Sequence, residues 1–282
     1  MNYSETVHLF SVGENKLLGI AAIPDAPNKC GIIITVGGPQ YRVGSHRQFL
    51  LLSRRLASEG YSVFRFDYRG MGDSSGTKRS FDEVSEDISA AIGAFQTICP
   101  QVRRIVLWGL CDAASANLIY VQTTRDARVN GIVLLNPWVR SEAGLAKTHI
   151  KHYYGQRLLQ REFWLKLFSG KMRLLGSARE FLSQTMKARE NVRGSSGQTL
   201  SFQERMAEGM KIFEGNILLI LSGQDFTAKE FLDHADGNRI WAEALRSERV
   251  KKINIPEADH TFSSAVLRSR VEENTIHWLE NR

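Results

Sequence analysis

A few short stretches of this 282-residue chain carry side chains that could do chemistry together. Gly109-Leu110-Cys111-Asp112-Ala113 places a thiol between an apolar run and a series of small residues, Ala114-Ser115-Ala116. A helix beginning just after Cys111 would favour its thiolate through the positive end of the helix dipole. Such a nucleophile needs a base, and the base needs an acid to orient it. Asp225 follows the apolar run at 217–221, with Asp233 and Asp236 further on. His260 stands in a turn after Ile253-Asn254-Ile255, with Asp259 at its side. The other two cysteines, Cys30 and Cys99, lack any comparable setting and read as packing residues. Three cysteines at these spacings suit neither a disulfide framework nor a zinc site, and no cofactor or metal is expected.

Elements of two kinds must position these residues. The first half alternates short β-branched runs with longer amphipathic patterns, as in a parallel sheet covered by helices. Segments 5–12 and 16–23 read as an antiparallel hairpin, 31–36 as a strand buried on both faces, and 47–59 as a helix stopped by Gly60. Further strands are expected at 61–66, 104–108 and 131–135, and helices at 81–98 and 113–122. From about 141 to 211 the alternation stops, and the pattern is helical and rich in Arg, Lys, Leu and aromatics. It returns with strands at 216–221 and 250–255 and helices around 236–248 and over 264–280. The expected fold class is therefore α/β, a mostly parallel doubly wound sheet. Residues 1–140 and 211–282 would form its core, and 141–210 an inserted basic helical lid.

The strand–thiol–helix turn resembles the nucleophile elbow of the α/β-hydrolases, G-x-S-x-G, with Cys111 for Ser and Ala113 for the second Gly. Asp67-Tyr68-Arg69-Gly70-Met71-Gly72-Asp73-Ser74 resembles the D-x-R-G-x-G-x-S loop of the same superfamily and reads as a structural turn beneath the site. That resemblance implies the chain order nucleophile, acid, base. Asp225 is then the acid and His260 the base, while Asp233 and Asp236 are the competing carboxylates and Asp259 faces away. Two backbone amides should hold the oxyanion. One is that of Asp112, and the other comes from Val36-Gly37-Gly38-Pro39-Gln40, where Pro39 has no N–H and Gly38 is favoured over Gln40. More narrowly, Gly37-Gly38-Pro39-Gln40-Tyr41-Arg42-Val43-Gly44-Ser45-His46-Arg47 and Gly109-Leu110-Cys111-Asp112-Ala113-Ala114-Ser115 resemble the exosortase-A-system-associated hydrolases. These are bacterial proteins encoded beside exopolysaccharide and protein-sorting genes.

The resemblance implies a hydrolase cleaving an activated acyl bond (thioester, ester or lactone) through an acyl-thioester on Cys111. An acyltransferase using the same three residues is the alternative within the class. A non-catalytic scaffold in an exopolysaccharide or protein-sorting system is the alternative outside it. Charge narrows the partners. The chain carries 37 Lys and Arg against 30 Asp and Glu, a formal +7. Residues 141–193 hold eleven of the basic residues and four of the acidic ones, so the remainder is neutral by formal count. Such a lid would suit a small-molecule acyl substrate that is anionic or carried on a partner, or else a membrane surface. No nucleic-acid recognition motif accompanies the charge. Apolar runs fall far short of the ~18 residues of a spanning helix, no leader is visible at the start, and a cytoplasmic location is expected.

Overall fold

The computed structural model describes residues 1–140 and 200–282, and the body of the expected lid, 141–199, lies outside them. Its sheet has the strand order β1-β2-β4-β3-β5-β6-β7-β8. β1 (Tyr3–Val12) and β2 (Asn15–Pro24) form the expected hairpin, and β2 runs antiparallel to β4 (Ser62–Phe66). All other pairings are parallel: β3 (Cys30–Thr35), β5 (Arg104–Leu110), β6 (Val129–Leu135), β7 (Asn216–Ser222) and β8 (Val250–Ile255).

Burial on both faces explains the near-continuous apolar runs of the central strands. Side chains along a strand alternate between faces, and the core divides accordingly. Ile33, Leu107, Leu134 and Leu219 face one layer. Ile32, Ile34, Val106, Val133 and Leu218 face the other. The first layer holds α2 (Ser85–Ile98), α3 (Asp112–Thr124) and α4 (Phe202–Ile212), through Ile88, Ile92, Phe95, Leu118, Met206 and Met210. The second holds α1 (Gln48–Ser58), through Phe49, Leu52 and Leu56, and the final helix α7 (Ala265–Glu280), through Val271, Ile276 and Trp278. Trp108 ties this second layer together, edge-on to Phe49 at 5.8 Å. Among the described residues no helix is long and apolar enough to cross a membrane.

Three expectations need correction. Residues 201–210, assigned to the inserted block, belong to the same compact unit as the sheet. A capping box joins Ser201 and Glu204, and Met206, Ala207 and Met210 of α4 are buried. The helix expected around 236–248 is two helices, α5 (Phe226–Asp236) and α6 (Arg239–Ala244). Each opens on a side-chain cap, Asp225 for α5 and Asn238 for α6, so the break falls at Gly237-Asn238. The helix expected at 81–98 is a 3-10 turn (Phe81–Glu83) followed by α2, with Val84 non-helical between them.

Candidate active site

Cys111 sits where β5 ends and α3 begins. Its backbone is in the left-handed half of conformational space, φ 63° and ψ −125°, a costly position for a residue with a side chain. The surroundings enforce it. The Cys111 N–H donates to Leu135 O at 2.8 Å, and the Cys111 carbonyl accepts from Trp138 N–H at 3.2 Å. The turn is tight enough that a Cβ on Gly109 would lie 2.8 Å from the Ala113 backbone. Glycine at 109 is therefore a steric requirement. Cys30 and Cys99 are buried, and burial pushes both thiols up in pKa.

His260 and Asp225 are brought together from loops 35 residues apart, with Nδ1 to Oδ2 at 2.8 Å. Asp225 also caps α5, accepting from Thr227 N–H and Ala228 N–H at 3.1 Å each. Burial acts to raise its pKa, but the His260 hydrogen bond and charge and those two amides hold it below the usual carboxylate range. The His260 pKa is pushed up to about 10, first by the hydrogen bond to Asp225 and then by that to Cys111, against desolvation. The competing acids are not brought to the histidine. Asp233 and Asp236 lie two turns or more along α5, and Asp259 turns away to accept from Ser263 N–H at 2.9 Å.

Sequence reasoning missed the residue that holds this arrangement. Asn136 is fully buried at the end of β6 with φ 43°, a conformation Asn tolerates better than most residues. Its Nδ2 donates to Ser222 Oγ at 2.8 Å and to the His260 carbonyl at 3.1 Å, while its Oδ1 accepts from Ser222 N–H at 2.9 Å. Ser222 Oγ in turn donates to the Asp259 carbonyl at 2.8 Å. The ends of β6 and β7 are thereby bolted to the histidine loop. An Asn before a Pro at a strand end was the available signal, and it reads equally well as a plain terminator.

The loop after β3 is tethered from below. Asp67, buried after β4, accepts from Arg42 N–H at 2.7 Å and from Asp73 N–H at 3.1 Å, and pairs with the Arg42 guanidinium. A Cβ on Gly72, at φ +53°, would lie 2.2 Å from Asp67 Oδ2, so the glycine-rich turn closes directly on this carboxylate. Gly38 does reach the head of α3. Its N–H, expected to face the oxyanion, instead donates to the Asp112 carboxylate, 2.7 Å to Oδ1 and 2.9 Å to Oδ2. Burial raises the Asp112 pKa, opposed by the amides of Gly38, Ala113 and Asp112 and by the charge of His260.

Cys111, Asp112, His260, Gly38, Phe81 and Trp138 line one cleft of about 510 Å³. It is a nucleophile, an oriented imidazole and a set of backbone amides around space for a small molecule.

A family model described as serine aminopeptidase, S33, matches residues 31–256. No curated protein matches the sequence. Among solved structures, the esterase Pf2001 of Pyrococcus furiosus is similar with a TM-score of 0.64 at 16% identity, over 99% of this chain and 92% of that one. The mouse alpha/beta hydrolase domain-containing protein 10 is similar with a TM-score of 0.60 at 15% identity, over 98% and 99%. The alpha/beta hydrolase GrgF from a Penicillium species gives 0.61 at 16% identity, over 99% and 97%. At these identities the likeness is one of fold.

Proposed function

The chain belongs to the serine aminopeptidase S33 family and so to the α/β-hydrolases, and from that premise we propose that it cleaves an activated acyl bond through Cys111, His260 and Asp225. The observation that carries this reading is the Asp225–His260 hydrogen bond of 2.8 Å in the cleft that holds Cys111 at the head of α3. A non-catalytic scaffold has no use for all three groups in register.

The steps follow from the geometry. Cys111 Sγ attacks the acyl carbon, and the proton the thiol gives up is held by His260, whose pKa of about 10 suits it to keep a proton at neutral pH. The carbonyl electron pair moves to oxygen. Collapse breaks the bond to the leaving group, which takes the proton from His260 and departs, leaving a thioester on Cys111. Water then loses a proton to His260 as it attacks the thioester carbon. Collapse of the second intermediate expels the sulfur, which recovers the proton, and releases a carboxylic acid. Asp225 keeps the ring in the tautomer and orientation that both halves need.

Cysteine in place of serine narrows the substrate. A thiolate is itself a good leaving group, so intermediates with an amine leaving group tend to return to reactants, whereas thioesters, activated esters and lactones go forward. The excess of basic residues at 141–193 favours anionic or carrier-bound acyl donors, and the same residues would serve an acyltransferase if an acceptor excluded water. The resemblance of the 37–47 and 109–115 segments to exosortase-A-system-associated hydrolases supports a donor from exopolysaccharide or protein-sorting chemistry.

The test is alkylation with iodoacetamide at neutral pH, followed by peptide mapping. Cys111 should react faster than buried Cys30 and Cys99, and a His260→Ala change should slow it. Equal rates at all three cysteines, indifferent to His260, would remove the catalytic reading.

A further inference from the structure

The position of the Asp112 side chain is not what a nucleophile turn requires. As the first residue of α3, Asp112 could have pointed to solvent, and it does not cap the helix, whose N-cap position is Cys111. Its carboxylate reaches instead across the cleft to a loop 74 residues earlier in the chain, and both oxygens accept from the Gly38 N–H. The loop is shaped around that carboxylate. A Cβ on Gly37 would lie 2.1 Å from Asp112 Oδ1, so the glycine makes room for the acid, and Gly38 itself is at φ +62°. Burial raises the Asp112 pKa, and the amides of Gly38, Ala113 and Asp112 and the charge of His260 work against that rise to favour the ionised form. A negatively charged oxygen among the N–H groups of the 38 loop and the α3 terminus is the description of an oxyanion in its hole. Here the protein supplies it.

We propose that Asp112 is the resident ligand of the oxyanion hole and thereby the residue that decides which acyl donors react. This inference rests on the triad reading above. The substrate's carbonyl oxygen has to take the Gly38 N–H from a bidentate charged acceptor before Sγ can attack. A neutral carbonyl is a much weaker acceptor than a carboxylate, so a small ester with no other contacts rarely wins that exchange. A larger acyl donor, held by its remote parts, can apply that binding to displacing the carboxylate. The hole is then open only for a substrate that is already bound. Carboxylate products, which resemble the resident group, are likewise kept out. If the hole is open a tenth of the time, the reaction of a non-displacing substrate slows about tenfold.

The experiment uses the full chain and p-nitrophenyl acetate as a small probe, with acylation followed by p-nitrophenol release. Asp112→Ala should acylate at least about tenfold faster than the parent, because a hole donor has been freed. Acetate should inhibit Asp112→Ala competitively and leave the parent unaffected, since only the variant has an empty cradle. Asp112→Asn, which keeps the shape and an acceptor oxygen, should fall between the two and serves if the alanine variant does not fold. Acylation that depends on His260 but is equal in the parent and both Asp112 variants, with no acetate inhibition, overturns the gate and leaves the triad standing. Acylation that is slower in both Asp112 variants also overturns it, because Asp112 would then be assisting the reaction. Acylation that persists in Cys111→Ala, or ignores His260 in every variant, removes the triad reading and the gate with it.

Discussion

The two walls of the cleft each present a carboxylate, the buried Asp225 and the half-buried Asp112, and they use it in opposite ways. On the β6–β8 side, Asp225 is held by two helix amides and by His260 at 2.8 Å, and its partners outweigh its burial. On the β3–β5 side, Asp112 accepts from the Gly38 N–H, the amide proposed to receive the substrate, and burial outweighs its partners. In the proposed mechanism one acid strengthens the base, and the other occupies an amide that the substrate would need. The same kind of side chain helps or obstructs the proposed reaction according to whether its partner is a base or an amide meant for substrate.

Substitutions should separate the walls. The largest effect is expected from Asp225→Asn, which loses the charge that orients His260 and stabilises its protonated form. Turnover should fall on the order of 10³- to 10⁴-fold. The alkaline limb of kcat/KM, set by a His260 pKa of about 10, should move to lower pH. A rise or no change would make the two acids alike and break the contrast, since the opposite sign is expected for Asp112→Ala.

Asn136→Ala comes next, on the base side. It removes three buried hydrogen bonds, two to Ser222 and one to the His260 carbonyl. Unfolding in urea should show a loss of about 2–4 kcal/mol, because partners are left buried and unpaired. Turnover should fall further than KM rises as the histidine loop loosens. Gly37→Ala probes the other wall, where its Cβ would meet Asp112 Oδ1 at 2.1 Å and the Leu110 carbonyl at 2.7 Å. A cost of about 1–3 kcal/mol is expected from this overpacking, read from the urea midpoint.

Stability against pH gives the last test. His260 is raised from an ordinary value near 6.5 to about 10 in the folded protein. Its contribution is complete below about 6.5 and is lost as pH rises through about 10. The urea midpoint of the parent should therefore decline between pH 7 and 10 more than that of His260→Gln. Parallel curves would show that the Asp225–His260 pair contributes nothing to the fold.

Much of the scaffold is legible in the sequence because its signals are local. β8 falls on the expected residues, and the central strands are betrayed by apolar runs that only a doubly covered sheet can bury. The sequence is harder to read where one side chain has two tasks. Asp225 reads as a triad acid, and its second role as the cap of α5 starts that helix at Phe226, well before the expected 236–248. The Ser201–Glu204 capping box was a visible signal for α4, hidden within a basic helical block. Asn136 left no such trace, because its value lies in reaching Ser222 and the His260 carbonyl, 86 and 124 residues away.

The sequence by itself determined the α/β alternation, the small residues that flank Cys111, and the order in which thiol, acid and imidazole arrive. These follow from side-chain periodicity and from steric needs within a few residues of the chain. Only the tertiary structure decided which carboxylate meets His260, what bolts its loop in place, and that the Gly38 amide already has an anionic partner. Those are hydrogen bonds between strand ends and loops far apart in the chain. Their energies depend on distances of a few tenths of an ångström, which no spacing in the sequence encodes.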